Sequence, residues 1–456
     1  MRENYVDFEN EMNELLSKRN YGAIKELVWE TPPADTAEYV GKQSIVNVLL
    51  LMKVMQKDVA ADVFSYLDSD MQENIFKNAS DEEIAQILKE LSTDDAADAL
   101  SEMPASFVKN ILKNADAVTR GRINTFLNYP ENSVGSIMTS EYTVLKSHMT
   151  VGEAIEYIRR VAPDKETVYT CYVLGERRKL IGVIELREIL SCRDDFETVE
   201  NLMETNIVRV YTSDDRTQAA RLTKKYDLNA LPVVDSEEKL VGIVTVDDVV
   251  DVIEEEATKD IQQMAAIAHV ETPYLKTSVF SLVKARIPWL LVLMLAGMLN
   301  GVILGEYEAA ISALPIFVTF MPMLTGTGGN SGSQTTATII RAMSIDELRL
   351  RDSLKVMWKE IRVALIIGVV FGIVNFARIY FFTDDPDRVI IGAVLGISMV
   401  FTILMAKSLG AVLPLLAKRI NLDPAVVASP MITTVVDAVS LVFYFSFAML
   451  MLGHRL

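Results

Sequence analysis

Cysteine and histidine are scarce in this chain, with two and three residues among 456. Cys171 and Cys192 offer no zinc-finger spacing and are too few for a disulfide framework, which fits a reducing compartment. His148, His269 and His454 form no convincing nucleophile–base pair with neighbouring residues, so the chain does not read as an enzyme. The first residues, MRENYVDFENEM, lack the basic start and apolar core of a secretory signal. Positive charge is also short over most of the length. Residues 1 to 275 hold 51 Asp and Glu against 29 Lys and Arg, a net −22, whereas residues 276 to 456 hold 11 and 15, a net +4, together the −18 of the whole chain. An acidic segment of this kind repels a polyanion, so no nucleic acid is expected as a partner.

What the second part does have is apolar length. A hydrocarbon core of about 30 Å takes roughly 20 helical residues, and five runs qualify: about 287 to 305, 309 to 329, 361 to 382, 389 to 415 and 424 to 452. The second connection carries Arg341, Arg349, Arg351, Lys355, Lys359 and Arg362, and the fourth carries Lys418 and Arg419, while the first and third are mostly acidic. The positive-inside bias puts connections two and four in the cytoplasm with the acidic part, and His454 and Arg455 outside. The expected location is therefore the cell membrane, crossed several times, with membrane lipid as a partner and the N-terminal domains cytoplasmic.

Within the acidic part, IMTSEYTVLKSHMTVGEAIEYI with KLIGVIELREIL is echoed by LMETNIVRVYTSDDRTQAARLTKKY with KLVGIVTVDDVV, 65 residues later at the start and 60 at the end. Each copy reads as an extended opening, an amphipathic helix, two strands and a closing helix. The order resembles a tandem pair of CBS domains, α/β modules that regulate by sensing a nucleotide or an ion. The resemblance implies ATP as a cofactor of the pair, with Thr245 and Asp248 of GIVTVDD holding its ribose; the first copy departs, with Glu185 and Glu188 at those places.

Residues 1 to 130 read as short amphipathic helices. In LSTDDAADAL, Ser92 or Thr93 caps a helix with an acidic first turn. Asp94 and Asp98 lie four apart on one face, where like charges repel unless a divalent cation screens them. A second acidic run, DDVVDVIEEEATKD from 247 to 260, puts Asp247, Asp251 and Glu255 on one face, with Asp248 beside Glu255 and Glu256 beside Asp260 a turn later. A solvated helical face is the plain reading of such a run; carboxylates on facing elements are also what Mg²⁺ takes, often through retained waters.

The stretch FMPMLTGTGGNSGSQTTATIIRAMS, residues 320 to 344, places Pro322, Gly326, Gly328, Gly329 and Gly332 on the second span or just past its end. Irregular backbone at membrane depth is tolerated where it is buried in protein or lines water. Close helix packing accounts for the glycines but leaves Asn330, Gln334, Thr335 and Thr336 unexplained. A phosphate cradle fails because no GK[ST] follows and no strand precedes. In the last span Asp437 sits about fourteen residues past Asp423 within an apolar helix, a default sign of an ion pathway. A buried pair with Lys407, the one basic residue well inside the fourth span, is the plainer alternative.

Taken together, PMLTGTGGNSGSQTTATIIRA, LDPAVVASPMITTVVDAVSL, the VDDVVDVIEEEATKD helix, the repeat pair and the acidic helical segment resemble the MgtE family of magnesium channels. The resemblance implies a multidomain chain: an all-α superhelical N-domain (1–130), the CBS pair (131–254), a connecting or plug helix (255–278) and a five-helix transmembrane domain (279–456). It implies a homodimer with its pore between subunits, lined by the second and fifth spans. There Asp437 would hold hydrated Mg²⁺ beside Asn330, with Asp423 at the cytoplasmic mouth. It further implies a gate, in which cytosolic Mg²⁺ bridges Asp94 and Asp98 to Asp247 and Asp251 and, with the connecting helix, closes the pore. Lys259 stands where the family often has an acid. The alternative is a CBS-regulated secondary transporter of another ion or solute, whose inverted repeats are not found among these spans.

Overall fold

The computed structural model describes residues 2–101, 103–270, 272, 274–275, 277–313, 315–345, 347–426 and 429–452, so the expected outside residues His454 and Arg455 lie beyond the described ones. The chain divides into two compact units, 1–254 and 255–456.

The first unit opens with ten described helices of 8 to 16 residues, from Arg2–Ser17 to Ala117–Phe126. Their starts are set locally. Ser80 and Glu83 form a reciprocal capping box, and Asp68 and Asp116 accept from the first-turn amides, each such cap contributing about 1 kcal/mol. Helix Lys57–Ser65 packs on Asp81–Glu90, which packs on Ala105–Asn114. This next-but-one packing winds the segment into a superhelix, and Phe64, Phe76, Leu88 and Leu100 fill its core.

The repeat then appears as two three-stranded sheets. In the first, β1 (Thr143–Lys146) pairs parallel with β2 (Thr170–Leu174), which pairs antiparallel with β3 (Leu180–Glu185). The second repeats this with β4 (Val210–Tyr211), β5 (Ala230–Val234) and β6 (Leu240–Thr245). The registers Thr170↔Glu185 and Ala230↔Thr245 preserve the 60-residue offset, and both sheets shift register at the same place. The copies also exchange contacts: Thr139 bridges Ile243 while Glu204 bridges Val183. Gly182 and Gly242 leave room for Met203 and Met138 of the opposite opening, where a Cβ would clash. A glycine at this strand position is thus a requirement of the pairing.

Seven helices carry the functional argument: α1 (Thr93–Ser101), α2 (Val246–Met264), α3 (Val279–Glu306), α4 (Ile316–Ser344), α5 (Ser353–Phe382), α6 (Arg388–Arg419) and α7 (Ser429–Leu452). Helix α2 stops at Met264, short of the 278 expected for the connecting helix. Ala266 turns left-handed (φ 58°), and the Ile267 amide donates back to Gln262 O at 2.9 Å, closing the end.

Helices α3, α5, α6 and α7 are long and apolar enough to cross a membrane. Helix α4, with 29 residues, matches them in length but not in apolarity. Its course corrects the sequence reading, which ended the second span near 329: α4 runs unbroken through GTGGNSGSQTT to Ser344. The ladder survives because the small residues face other helices. A Cβ on Gly410 would lie 2.6 Å from Gly332 O, so α4 and α6 touch backbone to backbone, and Gly372 and Gly396 do the same for α5 and α6.

Candidate ion pathway and acidic cluster

Helix α4 has two faces. Gly328, Gly329, Ser331, Gly332, Thr335 and Thr336 are buried, whereas Pro322, Gly326, Asn330, Gln334 and Thr338 recur every four residues on the exposed side. Gly328 lies against Thr402 and Val436, and Gly329 against Thr433, which brings α7 onto α4 beside the exposed stripe. One turn beyond Thr433 comes Asp437. Its Oδ1 is buried and has no hydrogen-bond partner among the described residues. Lys407 does not supply one. Its Nζ lies 3.6 Å from Glu360 Oε2 and donates to Thr335 Oγ1 at 3.1 Å, so the plainer Asp437–Lys407 pair does not form. The carboxylate of Asp423 is spent differently, accepting from the Ala425 amide at 2.9 Å where the short turn Pro424–Val426 leads into α7.

Near that turn, Asp260 is half-buried. Burial and then the charges of Asp423 and Glu256 hold its carboxyl above the ordinary range, against the pull of Lys259 and Arg341. Lys259, flagged as a departure, leans on Glu256 at 3.3 Å.

In the first unit α1 presents Asp94, buried, with Oδ1 unpartnered among the described residues. Burial and then Asp248, Asp95 and Glu166 hold its carboxyl well above the usual carboxylate range. Burial, with Asp247 near, pushes Asp248 up to about 6 against the hydrogen bonds of Thr245. Glu166 is raised to about 7, by desolvation and then Asp247, Asp248, Asp95 and Glu141. Asp251 is raised by burial, Glu254 and Asp247. The cluster is thus built from α1, the start of α2 and the loop before β2. Asp98, paired with Asp94 in the sequence reading, lies exposed a turn along. Asp95 and Glu166 were missed, Glu166 because it stands outside both acidic runs, in a loop whose Glu166 amide donates to Glu141 O at 2.9 Å. Glu141 itself, opposed by burial, is held below its usual value by Thr93, Thr139, Ser140 and the Arg122 ion pair at 2.7 Å.

Thr245 and Asp248, the expected ribose contacts, bond each other. Thr245 N and Oγ1 donate to Asp248 Oδ2 at 3.2 and 2.5 Å, capping α2. Glu185 and Glu188 cap the first copy's helix in the same places. Among the described residues no three Asp, Glu, His or Cys side chains close into a metal cage.

Long apolar helices around a small-residue, polar-faced helix, together with a paired CBS module, define a multi-pass membrane transport protein with a regulatory domain. Residues 321–447 match the MgtE divalent cation transporter profile, 31–132 the MgtE intracellular N domain, and 134–195 and 199–255 the CBS domain. The magnesium transporter MgtE of Thermus thermophilus is 39% identical over 74% of each chain, and that of Bacillus subtilis 32% identical over 72% of this chain and 71% of its own. The crystal structure of the cytosolic domain of the Mg²⁺ channel MgtE in complex with ATP is similar at 36% identity and TM-score 0.51, over 54% of this chain and 99% of that one. The soluble part of a magnesium transporter is similar at 27% identity and TM-score 0.54, over 56% of this chain and 99% of that one. The chain belongs to the MgtE family of magnesium transporters. It is a membrane protein of a transporter family, not an enzyme.

Proposed function

We propose that the chain is a Mg²⁺-selective channel for magnesium uptake, closed when cytosolic Mg²⁺ occupies its N and CBS domains. The observation that carries this reading is the uncovered stripe Gly326–Asn330–Gln334 on α4, flanked by the unpartnered carboxylate of Asp437 on α7. Polar groups at membrane depth do not face lipid without cost. A second copy of the chain, turning the same stripe toward this one, encloses a wet pathway and makes the protein a homodimer. Two Asp437 carboxylates then attract a hydrated Mg²⁺ across its water shell, with Asn330 beside it. Mg²⁺ sheds water reluctantly, so contact through the shell permits passage where a tight cage would hold the ion.

The gate follows from repulsion. Asp94, Asp98, Asp247 and Asp251, with Glu255, Glu256 and Asp260 further along α2, are the regulatory ligands, and Asp423 stands at the cytoplasmic mouth of the pore. Mg²⁺ screens them and favours the compact closed arrangement; as Mg²⁺ falls, the like charges separate the parts. The domains of this machine are 1–130, 131–254, 255–278 and 279–456. The driving force is the differential affinity of Mg²⁺ for the two states. In proteoliposomes, Mg²⁺ influx is expected to be large with no Mg²⁺ on the cytoplasmic face and to shut with millimolar Mg²⁺ there. Influx indifferent to that side would sink the gate.

ATP is the second ligand. The relative's cytosolic domain is in complex with ATP, and Thr245 and Asp248 present a hydroxyl and a carboxylate at the close of β6. Calorimetric titration of the full protein with ATP is expected to show binding that Thr245→Val weakens by about tenfold, the loss of one hydrogen bond. Equal affinity in both proteins would remove Thr245 from the site.

A further inference from the structure

Lys407 is almost fully buried, at 5% exposure, in the interior of α6. Three helices meet at its ammonium. It donates to Thr335 Oγ1 of α4 at 3.1 Å, it lies 3.6 Å from Glu360 Oε2 of α5, and the Thr335 hydroxyl donates to the same Glu360 oxygen at 3.0 Å. The adjacent residue, Thr336, donates to Gly332 O and Gly410 O at 3.0 and 3.2 Å, where α4 and α6 are in backbone contact. The node therefore sits on the tightest joint of α4.

Packing alone does not call for it. Glycine and threonine already bring α4 against α6, and burying an ammonium and a carboxylate costs more than an apolar pair of similar size. What an ion pair adds is direction: it is satisfied in one relative rotation of the helices and strained in others. Thr335 adjoins Gln334, which lies on the exposed stripe of α4, so a rotation that breaks Lys407–Thr335 also swings Gln334 and Asn330. Asp437 is not among the groups that meet the ammonium, whose partners are Thr335 and Glu360.

We propose that Lys407 is a positioning residue for permeation: held by Glu360, it locks Thr335 and so sets the angle at which α4 presents Asn330 and Gln334 to the ion. This rests on the reading of α4 as the pathway wall. Lys407 touches no ion itself; it acts through Thr335.

The test uses the full-length protein in proteoliposomes. Lys407→Met leaves Glu360 unpaired and is at risk of misfolding, so two further variants carry the weight. Lys407→Met/Glu360→Gln removes both charges, and Thr335→Val keeps both but cuts the link to α4. Each is expected to retain the thermal midpoint of the wild type while its preference for Mg²⁺ over Na⁺ falls by about tenfold, the usual size of a coupling between neighbouring elements. In parallel, Gln334→Cys is introduced into the wild type and both variants, and its modification by a membrane-impermeant thiol reagent is followed by mass spectrometry at that position. A changed labelling rate in the variants supports the proposal. Labelling at the wild-type rate together with wild-type ion preference in both variants overturns it. No labelling in the otherwise wild-type protein overturns the pathway reading of α4 instead, so the two failures are told apart.

Discussion

Asp437→Ala is expected to lower Mg²⁺ flux by about a hundredfold at the same protein density in the membrane. A carboxylate about 5 Å from a divalent ion, at an effective dielectric near 20, is worth several kcal/mol, and each 1.4 kcal/mol lost is about tenfold in rate. Asp437→Asn separates charge from size: it keeps the side-chain volume and is expected to fall nearly as far as Ala, while Asp437→Glu retains part of the flux. Wild-type flux in the Asn variant would show that the negative field is not what draws the ion, and would remove Asp437 from the pathway. The unpartnered Oδ1 gives the prediction its strength. A carboxylate already committed to Lys407 would have been neutralised by it; here the ammonium is committed elsewhere.

A comparably large effect is expected from pH in the acidic cluster. Asp248 is raised from an ordinary 3.8 to about 6 and Glu166 from 4.5 to about 7. The folded state therefore binds more protons than the unfolded one between about pH 4 and 7. Stability must fall as pH rises through that window, because the slope follows the unfolded-minus-folded proton count. If Asp248 were fully shielded, its rise would correspond to about 3 kcal/mol; Glu166 is exposed to water, and screening reduces its share. In chelator, the cytosolic part of the protein is expected to resist proteolysis better at pH 5.5 than at pH 7.5, on the order of tenfold in cleavage rate. Millimolar Mg²⁺ at pH 7.5 is expected to abolish the difference. Protection that is flat across this range without Mg²⁺ would mean that the carboxylates do not oppose one another in the folded protein.

The features that were legible before folding are those written in one dimension. Charge asymmetry and apolar length placed the second part in a membrane, and the repeat of KLIGVI by KLVGIV announced the paired sheets, whose registers keep its 60-residue offset. Asp437 was conspicuous because a carboxylate in an apolar run has no cheap explanation. Short-range periodicity also marked the helices of the N-domain, several of them capped by residues beside them.

The rest depended on neighbours distant in sequence. Glycines that look like breaks leave α4 helical, because Gly332 and Gly410 come from different helices and their missing side chains are used for contact. Glu166 joins Asp94 and Asp248 only after a loop is tied to Glu141, and Asp98, one helical turn from Asp94, lies on an exposed face. Asp437 was the partner the sequence offered Lys407, and the packing of α5 against α6 brought Glu360 to it instead. Residue type and spacing decide what a segment can bury and which charges it must accommodate; which charge meets which is decided by helices packing at van der Waals distance, where a shift of a few ångströms exchanges one partner for another.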